Sequence, residues 1–179
     1  TRDLHRQFDV NVYGPHRLIR AALPHMRERE DGTIVNVSSV SGRVATPGMG
    51  AYNGSKFALE GMSDALRGEV SEYGIDVAVV EPGPVDTSFQ ERADDEFDDL
   101  DKSGAYERIY EFFSDASAVN GLGAVSPERV AEVITEAAVS PDPAPRYPVA
   151  RAGRFGVLAR FLPDRWLDAG YRFALKFAR

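Results

Sequence analysis

The sequence has no cysteine, which excludes both a disulfide framework and a thiolate metal site. Histidine is scarce: the three residues lie at 5, 16 and 25 in one helical region, without the close spacing of a zinc-binding helix, and read as solvated helix residues. No apolar run approaches the length of a membrane span and no signal peptide opens the chain, so a soluble, cytoplasmic protein is expected. Positive charge is in deficit, with 21 Lys and Arg against 28 Asp and Glu and a formal net charge of -7. A phosphate backbone needs a basic surface, so nucleic acid is not an expected partner. Repeats, low-complexity tracts and an interdomain linker are missing too, and 179 residues suffice for a single domain with a sizeable core.

The charge that is present is uneven. Acidic residues crowd 91–101 (ERADDEFDDLD), the pattern of a solvated loop or helix face, whereas 151–179 is basic.

The most informative stretch is 38–56, SSVSGRVATPGMGAYNGSK. Ahead of it, 33–37 is a β-branched run after Asp31-Gly32, the pattern of a buried strand following a turn. Ser38 and Ser39 stand at the end of that strand, where open α/β sheets place their ligands. After a loop rich in glycine and proline, an apolar helical pattern runs over 52–73, with Gly74 as its stop. Tyr52 and Lys56 are thus i and i+4 on one helix face. A free tyrosine, with a pKa of about 10, is a poor base at neutral pH; a nearby ammonium favours the phenolate, and Lys56 is placed to supply it. Ser39 is the candidate to hold a substrate oxygen and stabilise charge developing there. Together the three could protonate a carbonyl or deprotonate an alcohol. Alone, Tyr-x-x-x-Lys is a weak signal that reads more readily as a half-buried aromatic and a solvated lysine on a surface helix. The joint pattern carries the argument: thirteen positions from Ser39 to Tyr52, and the turn EPGPVDT at 81–87 closing the next strand.

The set NVYG (11–14), IVNVSS (34–39), YNGSK (52–56) and EPGPVDT (81–87) resembles the short-chain dehydrogenases/reductases over roughly residues 1–90. The resemblance implies an α/β, Rossmann-type doubly wound parallel sheet, here its C-terminal half, and NAD or NADP as cofactor. It assigns Ser39 to orient the substrate oxygen and Tyr52 to act as acid/base. Lys56 would hold the nicotinamide ribose and lower the tyrosine pKa, and Asn11 would anchor a water in the proton relay. Pro82, Gly83, Val85 and Thr87 match the turn that binds the nicotinamide end of the cofactor. No metal is implied. The helices over about 3–28 and 52–73 resemble those through which the family dimerises, implying a homodimer or a tetramer built from it.

The residues around Asn11 support its part independently. Leu4, Phe8, Val12, Leu18, Ile19, Ala22, Leu23 and Met26 trace an amphipathic helix interrupted by Gly14-Pro15. Pro15 has no N–H, so the carbonyl four residues back, that of Asn11, loses its helical partner and is open to a water.

Farther on, 75–80 is a second strand with the near-continuous apolar character of a parallel sheet, giving a strand–helix–strand crossover. Residues 88–122 carry no strand signal and read as an acidic loop followed by a short amphipathic helix. By resemblance this is the mobile segment that closes over the substrate; the alternative is a surface helix packed by its aromatics. Ser126-Pro127-Glu128 starts a helix, and 146–150 is a short strand whose Pro148 suits only a sheet edge. The segment 151–179 reads as two helices broken at Pro163. Such a tail can touch a membrane surface, and more often packs over a substrate cleft or a subunit interface. It is similar to the tails of hydroxysteroid and retinol dehydrogenases, which implies a bulky apolar alcohol or ketone as substrate.

A glycine-rich pyrophosphate turn and a ribose-reading residue after a second strand are not found in the sequence. The chain opens at Thr1 within what resembles the fourth helix of the family fold, so a piece of that fold is expected. The expected function is an NAD(P)-dependent oxidoreductase interconverting a secondary alcohol and a ketone. The competing reading is a non-catalytic scaffold of the same fold or an inactive fragment; the set Asn11, Ser39, Tyr52 and Lys56 weighs against it.

Overall fold

Two β-branched runs set the sheet. β1 (Gly32–Val37) and β2 (Ile75–Pro82) pair in parallel, from Gly32 opposite Ile75 to Val37 opposite Val80. The structure, a computed structural model, describes residues 1–98, 102–121, 123–149, 159 and 161–177. Among these, β3 (Arg146–Val149) lies parallel on the other side of β2, giving the order β1-β2-β3. Pro148, opposite Glu81, is therefore on an edge strand, the place a residue without an N–H tolerates.

The helices in chain order are α1 (Arg2–Phe8), α2 (Gly14–Arg29), α3 (Gly50–Val70), α4 (Ser88–Asp98), α5 (Glu107–Gly121), α6 (Pro127–Val139) and α7 (Asp164–Phe177). They cover both sheet faces. Ile34, Ile75 and Val77 pack with Ile19, Leu23 and Met26 of α2 and Leu66 and Val70 of α3. Alternate residues of β2, Ala78 and Val80, join Val149 against Val130, Val133 and Ala137 of α6. A strand buried on both sides must be apolar nearly throughout, which is why β2 reads as a continuous hydrophobic run.

Between α1 and α2, residues Asp9–Tyr13 form a π turn, with the Gly14 N–H bonded to the Asp9 carbonyl. The helix passes the donorless Pro15 by widening one turn, and Pro15 sits in the first turn of α2, where a missing N–H is harmless. The segment expected as an acidic loop is instead the helix α4. Its apolar residues Phe89, Ala93 and Phe97 recur every fourth position along one face; Ala93 and Phe97 are half-buried, while Phe89, Arg92, Asp95 and Asp98 are exposed. Phe97 stacks on Phe113 of α5 at 4.7 Å between ring centroids. In the tail, α7 follows Pro163 as expected; the helix expected before it falls on residues that, apart from Ala159, Phe161 and Leu162, lie outside the described ones.

Gly74 ends the α3 region with φ of 64°, and a Cβ there would collide with the carbonyl of Glu30, the left-handed residue that ends α2. Gly74→Ala is expected to lower stability by about 1–3 kcal/mol, read by chemical denaturation. A variant as stable as the wild type would mean that the Glu30–Gly74 approach relaxes freely.

Candidate active site

Because β1 and β2 run parallel and in register, the loops leaving them start side by side. The ladder continues one step past β1, the Ser38 N–H donating to the Val80 carbonyl at 2.8 Å. Ser39 follows in extended backbone and is buried. Its Oγ accepts from the Ser41 N–H at 3.1 Å and donates to the Pro82 carbonyl at 3.5 Å, so this hydroxyl is held between the two loops. Lys56 arrives from α3: its Nζ donates to the Val37 carbonyl at 3.0 Å and lies 5.7 Å from the centroid of the Tyr52 ring. Ser39, Tyr52, Lys56 and Pro82 therefore meet at the C-terminal ends of β1 and β2.

Burial dominates the ionisation of both titratable members. It pushes the Tyr52 hydroxyl up from its ordinary 10.0, with a hydrogen bond to Ser39 acting in the opposite direction. It lowers the Lys56 ammonium from 10.5 to about 8, with the Glu60 carboxylate resisting. The direction is opposite to the lowering expected from Lys56: desolvation of the phenol outweighs the hydrogen bond to Ser39, and the Lys56 ammonium is directed at the Val37 carbonyl.

Asn11 lies in the π turn. Its Nδ2 donates to Ser55 Oγ at 3.0 Å, and Ser55 Oγ donates to the Tyr52 carbonyl at 2.7 Å. The expected site for a water is thus tied, through one fully buried serine, to the helix turn that presents Tyr52. Ser55 was not singled out from the sequence, although its place between Tyr52 and Lys56 was a usable signal.

Pro82 is buried, Gly83 and Val85 are half-buried and Thr87 is exposed. Val85 forms a parallel bridge with Val125, flanked by bonds from the Val125 N–H to the Pro84 carbonyl at 3.0 Å and from the Asp86 N–H to the Val125 carbonyl at 2.9 Å. The Thr87 Oγ1 accepts from the Phe89 N–H at 3.3 Å and so starts α4. That brings the Phe89 ring within 5.5 Å of the Tyr52 ring, a contact the sequence did not announce. Over the loop between Ser39 and Tyr52 lie Ile109 and Phe113 of α5, near Gly48, and Tyr171 of α7, whose hydroxyl faces Thr46 and has its pKa pushed up by burial.

Residues 1–97 match the family described as short chain dehydrogenase. The chain is 38% identical over 170 residues to the uncharacterized oxidoreductase YbbO of Escherichia coli K12, an alignment covering 92% of this chain and 57% of that protein. It is 35% identical over 142 residues to human 17-beta-hydroxysteroid dehydrogenase type 1, covering 78% of this chain and 43% of that protein. The chain therefore spans about half the length of these relatives. A short-chain dehydrogenase structure from Streptomyces avermitilis is similar with a TM-score of 0.75 and 26% identity, over 100% of this chain and 64% of that one. A Burkholderia cenocepacia short chain dehydrogenase in complex with NADP has a TM-score of 0.69 at 20% identity, over 94% of this chain and 58% of that one, a likeness of fold alone. With 97 of 179 residues matched on a doubly wound parallel sheet, the chain belongs to the short-chain dehydrogenase family.

Proposed function

We propose that the protein carrying this chain is an NAD- or NADP-dependent oxidoreductase that interconverts a secondary alcohol and a ketone. The observation that supports it most is the meeting of Ser39, Tyr52 and Lys56 at the ends of β1 and β2.

The donor set suits the nicotinamide end of the cofactor. Lys56 has three N–H donors, of which one goes to the Val37 carbonyl, leaving two for ribose hydroxyls. The Pro82, Gly83, Val85 and Thr87 turn leaves the same end of the sheet. The sequence contains no glycine-rich turn for the pyrophosphate, so the reading covers the nicotinamide end alone. A bound nicotinamide supplies or accepts the hydride. The protein's part is the proton. In reduction the Tyr52 hydroxyl gives its proton to the carbonyl oxygen while the Ser39 hydroxyl donates a hydrogen bond to it; in oxidation the flow reverses. The raised Tyr52 pKa keeps the hydroxyl protonated at neutral pH, the form that donates. The Lys56 charge, present below pH about 8, favours the phenolate that oxidation requires. Asn11 and Ser55 fix the turn that presents Tyr52 and continue the relay toward a water. The aromatics Phe89, Phe97 and Phe113 in α4 and α5, and the hydroxysteroid dehydrogenase among the relatives, support a bulky apolar substrate under a lid.

Tyr52→Phe in the complete protein is expected to lower turnover by about 10²- to 10⁴-fold with the fold retained, assayed with NAD(P)H and a panel of cyclic and steroid ketones. Near-normal turnover would remove Tyr52 from the proton path. The Lys56 pKa is lower folded than unfolded, so the folded state holds fewer protons between pH about 8 and 10.5. The resulting penalty is full below that window and fades as pH rises through it. Denaturation curves should show wild type gaining stability relative to Lys56→Met from pH 8 to 10, and parallel curves would show that Lys56 is not desolvated. Finally, a groove of about 330 Å³ between α2 and α3, lined by Val12, Ile19, Leu23, Met62 and Leu66, supports a two-fold dimer through these helices. Light scattering on the complete protein should give a dimer or tetramer; monomer alone at micromolar concentration would reject that assembly.

A further inference from the structure

We propose that Arg43, Glu60, Glu81 and Arg146 form a buried ionic clamp that positions Ser39 and Lys56 for proton transfer. The proposal rests on the catalytic reading of those two residues.

The four side chains come from four separate segments. Arg43 closes the loop that carries Ser39, Glu60 is one turn beyond Lys56 on α3, Glu81 is the next-to-last residue of β2, and Arg146 opens β3. Arg43 Nε lies 2.6 Å from Glu81 Oε1 and 3.9 Å from Glu60 Oε2. Arg146 Nε lies 3.3 Å from Glu60 Oε2 and 3.4 Å from Glu81 Oε1, so each arginine bridges both carboxylates. Arg146 continues outward to Asp64 at 2.6 Å, and Asp64 to Arg67 at 2.7 Å. Glu81 is fully buried and Glu60 and Arg43 nearly so.

Stability alone is a poor reason for this arrangement. Desolvating four charges offsets most of what their attraction returns, and apolar residues of equal volume would serve as well or better. The cluster also leaves Glu60 Oε1, Glu81 Oε2 and the neighbouring Ser38 Oγ buried without a hydrogen-bond partner, a further cost. Burial holds Glu81 above the usual carboxylate range against the pull of Arg43. What the cluster does achieve is geometric: it locks to one another the Ser39 loop, the Lys56 helix and the strand end whose carbonyl receives the Ser39 hydroxyl. Packing there is tight, since a Cβ on Gly42 would stand 2.7 Å from Ser38 Oγ and 3.0 Å from Glu60 Cγ. Glu60 also places negative charge near Lys56 and so favours its ammonium. The groups facing that ammonium are Tyr52 and Glu60 on α3; Glu60 in turn meets Arg43 of the loop and Arg146 of β3, both paired with Glu81 of β2, and Arg146 meets Asp64, which pairs with Arg67.

The test uses the complete protein and two readouts that need no turnover. Titration of Lys56, followed by NMR on isotope-labelled lysine and assigned with Lys56→Arg, should fall by about half a unit or more in Glu60→Gln and stay near the wild-type midpoint in Glu60→Asp. Hydrogen exchange at the Ser41 amide, which is bonded to Ser39 Oγ, should quicken about tenfold or more in Arg43→Gln as the loop comes free. A folded Glu60→Gln with an unmoved Lys56 midpoint, or unchanged Ser41 exchange in Arg43→Gln, overturns the clamp. Should Glu60→Gln fail to fold, the Ser41 exchange in Arg43→Gln decides the clamp alone. Titration of wild type with NADPH separates the two readings: absent binding sinks the dehydrogenase assignment while the Lys56 and Ser41 results still decide the clamp.

Discussion

The parallel pairing of β1 with β2, with Val37 opposite Val80, is the constraint on which the site depends. Side chains on a strand alternate between faces, so a slip of one residue would exchange the β2 side chains fitted against α2 and α3 with those fitted against α6. Covering both faces, with α2 and α3 on one and α6 on the other, makes such a slip prohibitively unfavourable. The pinned register then brings Ser39 to the Pro82 carbonyl and the Val37 carbonyl to Lys56.

Burial at the end of that sheet has an electrostatic side. It disfavours whichever form of a group is charged, so it raises Tyr52 and lowers Lys56. In the protein alone the lysine therefore releases its proton before the tyrosine does, and the neutral pair of phenol and amine is favoured over phenolate and ammonium. Working as a base against an alcohol demands the reverse order. Polar groups brought in by bound partners, such as hydroxyls around the Lys56 ammonium, would restore it by resolvating the charge.

Much of this was legible in the sequence because it is local. The strands at 33–37 and 75–80, the helix that carries Tyr52 and Lys56 four residues apart, and the stop at Gly74 all follow from periodicity and turn chemistry. Contacts between distant segments were not legible. Arg146 meets Glu60 across 86 positions, and no spacing rule links them. The tyrosine pKa shift went against expectation because desolvation is set by tertiary burial, which a motif does not encode. Helix α4 was hidden by its acidity: the composition said solvated, and the apolar residues recurring every fourth position, Phe89, Ala93 and Phe97, were outvoted by their neighbours.

The bridge between Val85 and Val125 sets the terms on which the cover over the site can change. The chain departs from the sheet after Val85 and rejoins it at Val125, so the described residues between them, α4 and α5 included, form an excursion that hangs from one pinned gate. Closing such a loop depends on its length only logarithmically, about 0.6 kcal/mol for each doubling. Residues can therefore be added to, removed from or replaced in the excursion with little effect on the register that holds Ser39 and Lys56. The fold separates the segments that carry Ser39, Tyr52 and Lys56 from the segment that lies over them.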